Sequence, residues 1–215
     1  MEYNHIEQSR IPACTLDEQL FTKLWGIFSQ DGEFLWHATI GENDDLLGKQ
    51  ELEERPVQAI ESWEQLIAVA RKMPRIDQLT LTVEVPEKGT IAIALKNFVP
   101  CSGKLIVTGA EEQWVNDRFD DCMALFTARK KTFNTLLYTR LGFDVVQTVI
   151  PLGSMFVIVL LAAVFFIPVE IRISEWYWWI TGATIIITLR SAYSVSNWLI
   201  VYFMNKYPYI KWQGR

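Results

Sequence analysis

A single arginine lies in an otherwise apolar stretch near the C-terminus of the chain. Arg190 falls within the run from Ile185 to Phe203, where most side chains are aliphatic or aromatic. A guanidinium keeps its proton in proteins, so it must be satisfied by water, a counter-charge or carbonyl oxygens. If this run crosses a bilayer, Arg190 is a candidate for a polar path through the membrane or for pairing near its edge.

Four further polar residues lie in the two apolar stretches, and in each stretch their spacing places them on one face of a helix. Ser194 and Asn197 follow it at i+4 and i+7, so the three side chains share one stripe of a helix. Gln147 and Ser154 are seven residues apart in the preceding apolar stretch and share one face of a second helix. These two polar stripes either join the two helices within one chain or line an interior shared by several chains.

Two long apolar segments must position these residues. Val145–Val169 and, approximately, Trp176–Met204 are each long enough for a helix to cross a hydrocarbon core of about 30 Å. The short link at residues 170–175 predicts a tight turn, which forces the two helices to be antiparallel and adjacent. The sequence therefore predicts a C-terminal two-helix transmembrane hairpin.

Flanking charges predict the orientation of this hairpin. Positive residues flank both outer ends, whereas the link carries one Arg and two Glu. The positive-inside rule therefore predicts that both termini are cytoplasmic. The predicted location is the cell membrane, that is, a bacterial inner membrane or a plasma membrane. The residues predicted to contact the membrane surface are Arg129, Lys130, Lys131, Arg140, Lys206 and Lys211. The aromatic residues that suit the inner interface include Tyr207, Tyr209 and Trp212.

The depth of Arg190 has two interpretations. Roughly 21 Å of helix separate it from Trp176, which places it in the inner half of the core, about 9 Å from the inner edge. A long side chain nearly reaches the headgroups from there, and a helix start at Pro151 would bring it closer still, so Arg190 can be structural. The apolar run Trp198–Met204 argues instead for a deeper position and for a role in lining a pore or cavity.

The rest of the chain has the pattern of an acidic soluble domain. Residues 1–128 carry 11 Lys and Arg against 22 Asp and Glu, a net charge of −11, and residues 129–215 carry 9 against 3, a net charge of +6. Such acidity disfavours nucleic acid as a partner. The order of predicted elements, α-β-α-β-β-β-α, indicates an α+β cytosolic domain with helices on one face of an antiparallel sheet. Residues 129–144 are predicted to be a basic juxtamembrane connector, and residues 205–215 a cytosolic tail.

Local signals give the positions of these elements. Capping boxes at Thr15–Glu18 and Ser62–Gln65 predict two helix starts. Strict alternation of apolar and polar residues over Gln78–Val85 and Thr90–Leu95 predicts a β-hairpin. A third strand is predicted at Lys104–Thr108, and an amphipathic helix follows it.

Few residues suggest catalysis. The two histidines, His5 and His37, belong to no Ser-His-Asp set or HExxH motif, and the sequence has neither a nucleophile elbow nor a Walker loop. The acidic run Glu42–Asp45 is a weak candidate for Ca²⁺ or Mg²⁺, although a solvated loop explains it more simply. The cysteines are too few and too scattered for a disulfide framework or a zinc site: Cys14, Cys101 and Cys122. The sequence predicts no enzyme, no metal and no cofactor.

This layout supports two functional hypotheses. The first is a homo-oligomer whose hairpins form a pore or perturb the membrane under the control of the cytosolic domain, since two helices alone cannot enclose an aqueous path. The second is a protein-binding or adaptor module that an inert hairpin anchors. In layout the chain resembles the small two-helix membrane effectors of bacterial defence systems, in which a cytosolic domain senses and a hairpin executes. The predicted partners are membrane lipids, further copies of the chain, and a cytosolic protein or small-molecule ligand on residues 1–128.

Overall fold

The structure, a computed structural model, describes residues 4–41, 57–73, 75–98, 101–165 and 176–213. The chain divides into two units, of which the first comprises Met1–Tyr138 with Tyr207–Arg215 and the second comprises Thr139–Lys206. The acidic run at Glu42–Asp45, the predicted turn at 170–175 and the end of the first apolar segment lie outside the described residues.

Eight strands are described in the first unit. They are β1 (His5–Arg10), β2 (Cys14–Leu16), β3 (Leu35–Gly41), β4 (Val57–Ile60), β5 (Gln78–Val85), β6 (Gly89–Lys96), β7 (Ser102–Gly109) and β8 (Ile210–Trp212). Six of them form an antiparallel sheet in the order β1-β7-β6-β5-β3-β4. The other two, β2 and β8, pair in parallel with each other. The predicted hairpin is confirmed as β5 and β6.

Helices cover the apolar face of this sheet. The helices of the first unit are α1 (Glu18–Phe28), α2 (Trp63–Lys72), α3 (Glu112–Ala128) and the short α4 (Thr132–Leu137). Of these, α2 and α3 pack on strands of the sheet, and α1 packs on α3. In the centre of the sheet Leu81 of β5 lies opposite Ile93 of β6, and each is 1% exposed. The alternate Thr82 and Ala92 point to the other face and are half-buried. The predicted antiparallel sheet with helices is therefore present.

The start of α1 differs from the prediction. Its N-cap is Asp17, whose carboxylate accepts a hydrogen bond from the Leu20 N–H at 2.6 Å. Thr15 belongs instead to β2, because the long-range pairing with β8 outweighs the local capping signal. The second capping box is confirmed, since the Ser62 hydroxyl accepts from the Gln65 N–H at 3.1 Å.

The segment after the last helix is not a free tail. Its Ile210–Trp212 strand pairs with β2, and Tyr209 is 1% exposed, in the core of the first unit rather than at a membrane interface. The Asn97 side chain accepts hydrogen bonds from the backbone N–H of Tyr209 at 2.7 Å and of Ile210 at 3.4 Å. The Tyr209 hydroxyl donates to the Ile11 carbonyl. A pairing between opposite ends of the chain leaves no local sequence signal, so the pattern alone does not predict it.

The second unit is helical. From Arg140, α5 (Arg140–Asp144) continues through a π-helical turn (Val145–Val149) into α6 (Ile150–Phe165), and α7 is Trp176–Lys206. Pro151 therefore lies inside a continuous helical run and does not open a helix. α6 and α7 pack against each other. Among the described residues, two helical stretches are long and apolar enough to cross a membrane: Arg140–Leu161, with a mean hydropathy of 2.0, and Trp178–Lys206, with 1.2.

An ion-pair network around Asp31 joins three elements of the first unit. The Asp31 carboxylate, 6% exposed, accepts hydrogen bonds from Lys88 Nζ at 2.7 Å, Trp114 Nε1 at 2.9 Å and Arg118 Nε at 2.8 Å. Burial raises the pKa of Asp31, but the hydrogen bonds from Arg118, Lys88 and Trp114 outweigh this effect and hold the pKa below its ordinary value. The network thus fixes the end of α1 and the β5–β6 turn to α3.

Replacing Asp31 by Asn should lower the free energy of unfolding of the first unit by about 3 kcal/mol, because Arg118 loses its buried counter-charge. Hydrogen–deuterium exchange of α3 amides, in the full chain in detergent, measures this loss. Because the folded pKa is lowered, the Asp31 contribution is present above its unfolded pKa of about 3.9 and is lost as the pH falls further, through the folded pKa.

The matched control for this prediction is Asp121→Asn. Asp121 pairs with the same Arg118 at 3.3 Å, but its side chain is 49% exposed, so its loss should cost less than about 1 kcal/mol. Equal loss of protection in the two variants would contradict the assigned role of Asp31.

Candidate functional site

The polar stripe of α7 lies on the outside of the helix pair. Ser196, whose hydroxyl donates to the Gln147 carbonyl at 2.8 Å, marks the face of α7 that is turned toward the preceding helix. At about 100° per residue, Arg190 lies roughly 120° around the helix from Ser196. Consistent with this, Arg190 and Ser194 are exposed and Asn197 is half-buried.

The second predicted stripe does not meet the first within one chain. Gln147 and Ser154 have exposed side chains, and the Ser154 hydroxyl donates to the Pro151 carbonyl of its own helix at 2.8 Å. Within the described ranges no hydrogen bond joins the two stripes, and Arg190 forms neither a hydrogen bond nor an ion pair there. Of the two alternatives that the sequence leaves open, the geometry of a single chain does not support pairing between its own helices.

The polar contact between the helices involves a residue that sequence reasoning missed. Pro151 has no N–H, so it cannot donate to the carbonyl of Gln147, four residues before it. The chain passes through a π-helical turn at Val145–Val149 at this point, and the hydroxyl of Ser196, 5% exposed, supplies a donor to that carbonyl. A proline four residues after a helical carbonyl is the signal that could have directed attention to a donor on the facing helix.

The six basic residues predicted to contact the membrane surface have different surroundings. Arg129 is 14% exposed and forms an ion pair with Asp17 at 3.2 Å, so it is held by the fold of the first unit. Lys131 is half-buried, and burial together with the nearby charge of Lys211 lowers its pKa. The exposed ones are Lys130, Arg140, Lys206 and Lys211.

The chain segments on either side of the second unit are joined inside the first unit. The Tyr138 hydroxyl donates to the Tyr207 carbonyl at 2.8 Å, and Asn134 Nδ2 donates to the Pro208 carbonyl at 2.8 Å. Arg10 donates to the Tyr138 carbonyl at 2.8 Å. We call the contacts of Asn134 and Tyr138 with Tyr207 and Pro208 the clasp. Because of the clasp, the segment that leads into the helices and the segment that returns from them lie side by side.

The other reactive side chains of the described residues do not form a catalytic set. Burial raises the pKa of each of the three cysteine thiols to about 12, so they are protonated at neutral pH and are poor nucleophiles. His37 is exposed on β3. Within the described part of the chain, no group of three His, Cys, Asp or Glu residues is placed to hold a metal ion.

Neither the protein-family models, nor the curated proteins, nor the solved structures give a match to this chain. Its function is therefore inferred from the geometry of the chain itself.

Substituting Ser196 by Ala should destabilise the helix pair by about 1 kcal/mol, because the Gln147 carbonyl loses its donor. In a Pro151→Ala background the cost of the same substitution should fall toward zero, since an alanine at this position has a backbone N–H that can donate to this carbonyl. Reversible unfolding of the full chain in mixed micelles gives the double-mutant cycle. Ser194→Ala, on the exposed stripe, is the control and should change little. An equal cost of Ser196→Ala in both backgrounds would refute the assignment.

Proposed function

We propose that this chain is an integral membrane protein whose two long helices cross the bilayer as a hairpin, and that several copies assemble around a polar path for ions. In this assembly Arg190, Ser194 and Asn197 face the shared interior. The observation that carries the proposal is the position of Arg190, on the outside of a helix pair whose exposed surface is otherwise mostly apolar.

The exposed apolar surface of the second unit supports a lipid environment. Phe156 is 66% exposed, Ile186 is 69% exposed and Trp179 is 77% exposed, and many other large apolar side chains of this unit are similarly open. Soluble proteins rarely leave so continuous an apolar surface in water. Helices that are apolar on nearly all sides are typical of membrane spans when other protein elements do not bury them.

The clasp supports a hairpin with both ends on one side of the membrane. Tyr138 and Tyr207 belong to one folded unit, so a chain that crosses the bilayer after the first must cross back before the second. The exposed cations at this end of the helix pair, Arg140 and Lys206, favour the cytoplasmic side under the positive-inside rule. The first unit is then cytoplasmic.

The position of Arg190 along α7 supports a lining role. About 21 Å of helix separate it from Trp176 and about 24 Å separate it from Lys206, so it lies near the middle of this helix. Arg190 then lies within the hydrocarbon core, in its inner half, where a charged residue costs up to about 2.5 kcal/mol unless water or a partner satisfies it. The two helices of one chain cannot enclose water, whereas a ring of copies can place Arg190 in a hydrated interior.

Ion flux tests this proposal directly. The chain reconstituted in liposomes should conduct, with a preference for anions because each copy contributes one arginine. Arg190→Leu should reduce the flux about tenfold or more, and Arg190→Glu should shift the reversal potential toward cation selectivity. Fluorescent anion quenching and reversal potentials under a salt gradient give the two readings.

The matched control is Ser191→Ala, because Ser191 is adjacent but its hydroxyl donates to the Ile187 carbonyl of its own helix at 2.9 Å. It should conduct as the unaltered chain does. Equal flux in Arg190→Leu, with assembly verified by cross-linking, would overturn the lining role. No flux at all would favour the alternative, a binding module anchored by an inert hairpin, and unrelated spans should then replace the hairpin without loss of function.

A further inference from the structure

A cleft of about 480 Å³ opens on the first unit, between the end of α1, the chain leading into β3 and the β5–β6 turn. Its walls include the rings of Trp25, Phe34 and Trp36, and Pro86 contributes from the turn. Its volume falls within the range of small-molecule sites, about 300–1,000 Å³. All the lining residues belong to the first unit, so no residue of the helix pair forms part of the cleft.

The aromatic walls of the cleft stand nearly at right angles. The rings of Trp25 and Trp36 are 6.3 Å apart with an interplanar angle of 87°, and those of Trp25 and Phe34 are 5.0 Å apart at 69°. Trp25, Phe34 and Trp36 are half-buried. The buried Trp63 packs behind them, 4.9 Å from Trp25 and 5.4 Å from Trp36. The core therefore holds the rings in a corner that remains partly open to solvent.

The carboxylate at this corner belongs to Glu33. It is exposed and, within the described part of the chain, forms neither an ion pair nor a hydrogen bond. Asp31, two residues earlier, is occupied by Lys88 and Arg118. Since residues 1–128 also carry a net charge of −11, the charge of the cleft favours a cationic ligand over an anionic one.

We propose that this cleft binds a small soluble organic cation of the trimethylammonium type. Rings at right angles present their negative faces to the methyl groups of such a cation, and a carboxylate neutralises its charge. Glu33 supplies that carboxylate, and Trp25, Phe34 and Trp36 supply the rings. An alkylammonium fits this site better than a hydrated metal ion does, because Glu33 is the one lining side chain that offers oxygen ligands and the other lining side chains are apolar.

Titration calorimetry of the full chain tests the proposal, in a maltoside detergent that itself carries no choline group. The two probes are choline and 3,3-dimethyl-1-butanol, which has nearly the same shape without the charge. Choline should bind about tenfold more tightly. Equal affinities would show an apolar cleft without cation selectivity, and no heat with choline at about 10 mM would exclude a site of useful affinity; either result overturns the proposal.

Variants assign the binding to the cleft. Glu33→Gln and Trp36→Leu should each weaken choline binding about fivefold or more, because one removes the counter-charge and the other a cation–π wall. Glu7→Gln is the matched control: Glu7 is exposed on β1, at the edge of the sheet farthest from β4, and its loss should leave the affinity unchanged. Because Glu33 is exposed, we expect Glu33→Gln to keep the fold. Its choline affinity therefore tests the proposal even if Trp36→Leu unfolds the first unit. Unchanged choline affinity in Glu33→Gln would overturn the proposal.

Discussion

The buried amide of Asn97 determines where the chain returns after its apolar helices. Its Oδ1 accepts the backbone N–H groups of Tyr209 and Ile210, and its Nδ2 donates to the Ile76 carbonyl at 3.4 Å. An unsatisfied buried N–H costs about 1–3 kcal/mol, so without this amide the returning segment would be much less stable in its buried position. Because this return is fixed, the segments before and after the two helices belong to one folded unit. The proposed membrane hairpin rests on this constraint.

The same rule operates within the helix pair. There Pro151 withholds the donor that a helix normally gives to the Gln147 carbonyl, and Ser196 supplies one from the facing helix. Such a contact also fixes the rotation of α7 about its axis, since Ser196 must face the π-helical turn that precedes α6. The orientation of Arg190 is a consequence: the residue that satisfies the backbone determines which side of α7 is left for the polar stripe.

Sequence reasoning succeeded where the determinants are local. Alternation at Gln78–Val85 predicted β5, and the Ser62 cap predicted the start of α2, because both patterns act within a few residues. It failed where pairing is long-range: the parallel pair of β2 and β8 displaced the expected cap at Thr15 and took the expected tail into the core. For the candidate site, spacing alone predicted that Arg190, Ser194 and Asn197 share a stripe. It could not predict the direction of that stripe, which depends on which residues of α7 face α6.

The two proposed sites require opposite electrostatics. The charge of the chain is divided in the same sense, because residues 1–128 are acidic and residues 129–215 are basic. The first unit is acidic and places beside aromatic rings the carboxylate of Glu33, which pairs with none of the described residues, and this suits a cation. The helix pair contains one arginine and, among its described residues between Val145 and Asn205, no acidic side chain, which suits an anion. A soluble cation of the proposed kind carries the charge that the proposed arginine-lined interior would disfavour, so this ligand would not readily pass through the proposed path. The two proposals together assign opposite charges to the ligand of the cleft and to the permeant ion.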